Sequence, residues 1–143
     1  MKRIATLAVA VLIAALGATG ANAAAGKHVS VTGEVIDSWC YLTQIMFARG
    51  TAHRQCALWC AAGGVPVGIL GDDGTVYLVL KMGDDTTSVA NPATLRIQAH
   101  RVTVDGELIR RDGMNYLLIS RVVNDAGIVN LTHDENGIQP FGK

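Results

Sequence analysis

Three cysteines and one histidine carry the chemistry this sequence offers: Cys40, followed by His53-x-x-Cys56-x-x-x-Cys60. If residues 52–62 are helical, positions 53, 56 and 60 stand three and four residues apart. They then share one face, with an imidazole and two thiols projecting into a single small volume. Cys40 precedes the run by enough chain to fold back onto it. Soft thiolates bind Cu(I) and Zn(II) strongly, and imidazole suits both ions. Four such ligands in a tetrahedron make a closed structural zinc site, whereas three with one exchangeable position suit copper. The expected ligand set is therefore Cys40, His53, Cys56 and Cys60, holding copper or zinc. Met46 offers a thioether but lies off the helical spacing.

Two other uses of the same residues compete with this one. In an oxidising compartment two of the three cysteines can form a disulfide, leaving one thiol over. Cys40 with Cys56 or Cys60 is the better bridge, because Cys56 and Cys60 sit one turn apart on a regular helix. On that reading the chain is a disulfide-stapled binding module for a partner protein or a saccharide, without metal. The third use is thiol redox chemistry, with Cys56 or Cys60 as the attacking thiolate and Arg49 and Arg54, which flank the insert, able to lower a thiol pKa. No C-x-x-C pair supports it, and no C-x-x-C-H signals covalent haem. The sequence has no G-x-S-x-G, no P-loop and no acid pair for hydrolysis, so no substrate class and no enzymatic activity is assigned. Trp39 and Trp59 each precede a cysteine and are expected to hold the insert against the rest of the fold. His28, His100 and His133 read as structural or solvated.

The elements that must position these side chains are mostly strands. Val29, Val31, Val35 and Ile36 mark a first strand ending near Asp37, with Gly33 as a bulge or bend. A cysteine-bearing insert spans residues 38–64. In it Thr51 caps a helix over 52–62, and Gly63-Gly64 ends it. Residues 65–70 and 75–80 flank the tight Gly71-Asp72-Asp73-Gly74 loop as a hairpin. A short helix over 92–98 precedes a second strand pair, 100–109 and 114–123, which turns at Arg110-Arg111-Asp112-Gly113 and kinks at Asp105-Gly106. The tail, 124–143, is polar with weak strand character at 128–131. Five short strands with helical material after the first and between the third and fourth predict a mainly β, OB-like five-stranded barrel.

The start of the chain frames this domain. Lys2 and Arg3, the apolar run Ile4–Leu16 and the small-residue site Ala21-Asn22-Ala23 read as a signal peptide over residues 1–23. The working protein is expected to be residues 24–143, a single domain, periplasmic or secreted, with no membrane span after cleavage. Removing Lys2 and Arg3 leaves ten basic against twelve acidic residues, a net charge of −2. No basic block is present, which argues against nucleic acid and anionic lipid as partners. The expected partners are a metal ion and a periplasmic protein.

The run Gly33-x-Val35-x-Asp37-x-x-Cys40-Tyr41-Leu42, with His53-x-x-Cys56-Ala57-x-x-Cys60-Ala61, Gly64-x-Pro66-x-Gly68-Ile69-Leu70 and Val76-Tyr77-Leu78, resembles a group of small exported bacterial proteins with an OB-like core. The resemblance covers about residues 29–123. It implies that barrel and cysteine–histidine insert form one unit, and it implies no settled activity.

Overall fold

The computed structural model describes residues 24–45, 48–85 and 91–132. Residues 1–23, expected to be a signal peptide, lie outside them, as do Met46, His133 and the rest of the tail. The elements run β1 (Lys27–Asp37), α1 (Ser38–Thr43), α2 (Gly50–Ala62), β2 (Val67–Gly71), β3 (Val76–Met82), α3 (Pro92–Arg96), β4 (Arg101–Arg111) and β5 (Met114–Asp125).

The strands close into a barrel in the order β1-β2-β3-β5-β4, and all neighbours are antiparallel except β3 and β5. This is the OB-like barrel expected from the strand spacing. Alternation supplies the inside. On β4, Val102, Val104 and Leu108 are buried while their neighbours face outward. Val31, Val35, Ile69, Val79, Leu117 and Ile119 fill the barrel with them. Asp112 and Gly113 both have positive φ, the backbone that lets a two-residue turn follow strand twist.

β1 serves two partners. Lys27–Glu34 pair with β4, and Gly33–Asp37 pair with β2, so residues 33 and 34 belong to both ladders. Gly33 lies where the strand passes between its neighbours, and a Cβ there would strike the Leu70 carbonyl. The glycine therefore marks a bend with continuous register rather than a bulge. A register shift does occur between Asp105 and Gly106, at the expected kink.

Residues 128–131 form no strand. Instead the segment after β5 lies against the barrel, with Ala126 N–H donating to the Arg101 carbonyl and Arg101 N–H donating to that of Gly127. Among the described residues no helix is long and apolar enough to cross a membrane.

Candidate metal centre

The insert holds two helices where the sequence predicts one. β1 ends at Asp37, and the same residue caps α1: its Oδ1 accepts from the Cys40 amide at 3.1 Å. Aspartate suits this position because it satisfies an amide that has no partner within the helix. The cap places Cys40 in the first turn, buried. Gln44 then adopts left-handed backbone and turns the chain, with Ile45 N–H donating to the Cys40 carbonyl at 3.0 Å.

Helix α2 starts at Gly50, before the residue expected to cap it. Arg49 occupies the N-cap without a side-chain bond, and the Thr51 hydroxyl is buried with no hydrogen-bond partner. The acceptors come from far away in sequence. Glu34 Oε1 takes the Gly50 amide at 2.7 Å, the Asn130 carbonyl takes that of Thr51 at 3.0 Å, and Thr132 Oγ1 takes that of Ala52 at 3.2 Å. The carboxylate of Glu34 also meets the positive end of the helix dipole. Gly50 has φ of 62°, and a side chain there would collide with the Asn130 carbonyl. Tail and strand together thus fix where α2 begins.

That start sets the helix's rotation. His53, Ala57 and Ala61 recur every four residues and are buried, which lets α2 approach closely through small side chains. Cys56 and Cys60 fall at the margin of this face and are half-buried. Trp59 lies about 200° around the helix from Ala57 and is 73% exposed, and Trp39 is 54% exposed. Neither tryptophan holds the insert to the barrel as expected. Ala57 and Ala61 are buried instead, and Ala61 joins the barrel core.

Asp37, Cys40, Cys56 and Cys60 each contribute one ligand atom, and these atoms lie within 4.8 Å of one another. Cys56 Sγ and Cys60 Sγ are 3.9 Å apart, and no disulfide is formed among the three cysteines. Bonds of about 2.3 Å to a tetrahedral ion place neighbouring sulfurs about 3.8 Å apart, so the thiol spacing already matches a metal-sized centre. The cluster can hold a metal ion.

His53, expected as the fourth ligand, stands outside this set. Its Nε2 lies 3.6 Å from Asp37 Oδ2, and both side chains are buried. The fourth donor is Asp37, which the hydrophobic pattern assigns only to the end of a strand. The signal for it was present: Asp37-x-x-Cys40 is the spacing at which an N-cap residue faces the amide of the third residue of its helix.

Asp37 and the thiols of Cys40 and Cys60 shift one another in opposite directions. Burial pushes the Asp37 carboxyl up, but the Cys60 thiol beside it, the Cys40 amide and thiol, and His53 together outweigh that and hold it below the usual carboxylate range. The thiols move the other way. Burial, then the neighbouring Asp37 carboxylate and Cys56, push Cys40 up to about 12, and the same influences raise Cys60. The redox reading needs a low-pKa thiolate, and Cys60, one of its two candidate nucleophiles, is shifted the other way. Arg49, one of the arginines invoked there, is engaged by Glu34 at 2.7 Å. His100 pairs with Asp125 at 2.8 Å, a structural use of the kind expected.

Fold and site together define a five-stranded OB-like barrel whose insert carries a thiol-rich cluster competent to hold a metal ion. Compared with protein-family models, with the curated proteins and with the solved structures, the chain has no match.

Proposed function

We propose that this chain is an exported soft-metal-binding protein that works as residues 24–143 in the periplasm or outside the cell. Copper or zinc is its ion, held by Cys40, Cys56, Cys60 and the Asp37 carboxylate. The observation that carries this reading is the convergence of three free thiols and one carboxylate within 4.8 Å, brought together from a strand end and two helices. Three thiolates are the donor type that selects soft and borderline ions over calcium or magnesium. A carboxylate completes four-coordination for a divalent ion.

The test is elemental mass spectrometry beside a thiol count on the exported protein, purified anaerobically without chelator. One copper or zinc per chain is expected, with three thiols titrating once the metal is removed. Serine in place of any one of Cys40, Cys56 or Cys60 should take the metal content to below about a tenth per chain, since each supplies a quarter of the ligand set. A metal-free protein with a single titratable thiol would overturn the proposal in favour of the disulfide staple.

A further inference from the structure

Beside the thiol set lies a polar pair that the four donors leave unsatisfied. The His53 side chain is 2% exposed and that of Asp37 is fully buried. Neither ring nitrogen of His53 has a hydrogen-bond partner, and neither does Asp37 Oδ2. Leaving a buried polar atom unpaired is destabilising, and here two such groups face each other across a gap that a small shift would close. At 3.6 Å the two atoms stop short of a hydrogen bond, which closes at about 3.0 Å. Asp37 cannot swing away to find another donor, because its Oδ1 is held by the Cys40 amide at the start of α1. With Oδ1 on the Cys40 amide, an imidazole N–H on Oδ2 would fix the remaining tilt of the carboxylate and so the direction it presents to the thiols.

We infer that His53 is a positioning residue that sets the metal preference of this site. Its imidazole N–H takes up Asp37 Oδ2 and aims the carboxylate at the ion. The inference rests on the proposed metal-binding role. Its consequence differs between ions because the donors differ. A monovalent soft ion such as Cu(I) is satisfied by Cys40, Cys56 and Cys60, and a hard oxygen adds little to it. Adding the carboxylate would also place a fourth negative charge around a single positive one in a buried site. Zn(II) prefers four donors and tolerates the oxygen. The His53–Asp37 pair is therefore needed for a divalent ion and dispensable for a monovalent one.

The test compares Zn(II) affinity, by competition with a chromophoric chelator, and Cu(I) affinity, by competition with bicinchoninate, in the full exported chain. His53→Ala should weaken Zn(II) about 10- to 100-fold, the usual effect of removing a group that orients a ligand, and leave Cu(I) within about threefold. His53→Gln keeps an N–H donor and should recover most of the Zn(II) affinity. Asp37→Asn keeps the α1 cap and loses the charge. It should reproduce the Zn(II) loss, and adding His53→Ala to it should change nothing further. This last pair decides the matter even if His53→Ala alone folds poorly. Equal loss of both ions, or additive losses in the double variant, would overturn the inference while leaving the metal site standing. Failure of the unsubstituted chain to bind either ion would remove the site itself.

Discussion

Glu34 and Asp37 are two buried carboxylates three residues apart on one strand, and they are treated in opposite ways. Glu34 is saturated. Arg49 donates to Oε2 through both Nε at 3.0 Å and Nη2 at 2.7 Å, Asn130 Nδ2 adds a third bond there at 3.2 Å, and the Gly50 amide donates to Oε1. Asp37 has one oxygen committed to a helix cap and the other left without a hydrogen-bond partner among thiols and an imidazole. A carboxylate whose acceptor positions are all filled has no capacity for anything but holding its neighbours. One with an open oxygen in a buried, donor-rich corner retains that capacity. Saturation, more than burial or charge, separates the scaffold from the site.

Removing each carboxylate tests that contrast. Glu34→Ala takes away a charged acceptor serving β1, α2 and the tail, and should cost about 2–4 kcal/mol in chemical denaturation. Metal bound per folded chain should stay near one. Asp37→Asn preserves the cap, so the metal-free protein should lose no more than about 1 kcal/mol. If the two variants lost stability equally, the distinction would fail.

A smaller effect follows from the thiols. With Cys40 and Cys60 pushed upward, both are protonated at neutral pH, whereas the Asp37 carboxyl is already ionised. Metal loading must therefore release at least these two protons, and affinity rises with pH. Between pH 6 and 8 it should climb at least about 100-fold per unit, measured by competition at fixed chelator strength. A slope near zero would mean that the thiols are not the ligands. The smallest effect belongs to Trp59, which joins neither carboxylate's network. Trp59→Ala should shift stability by no more than about 0.5 kcal/mol and leave metal content unchanged.

Much of the fold was legible because it obeys period two. Alternation along 102–108, the Asp-Gly turns and the Gly33 bend each follow from local stereochemistry, and the strand count then favours a closed barrel. The thiol cluster was legible for a related reason: spacings of three and four on a helix leave little choice of face. The rest depended on partners remote in sequence. Thr51 is a good local cap, yet Glu34, Asn130 and Thr132 outcompete it and start the helix earlier. His53 shares a face with the cysteines, but it sits nearer the centre of the buried stripe, and the margin is where the thiols meet. Asp37 carried its cap signal in the Asp37-x-x-Cys40 spacing, but its place in the cluster follows from closing a strand, capping a helix and facing the thiols at once.

The clasp on α2 also has a bearing on timing. A chain delivered from its N-terminus, by a ribosome or through a translocation channel, has presented every cysteine once residue 60 emerges. Asn130 and Thr132 follow only some seventy residues later. Until then α2 lacks two of the three acceptors that fix its start, and the thiols have no settled orientation toward one another. The cluster is thus assembled only once the segment after β5 has arrived, and on the proposed function loading with metal follows that step.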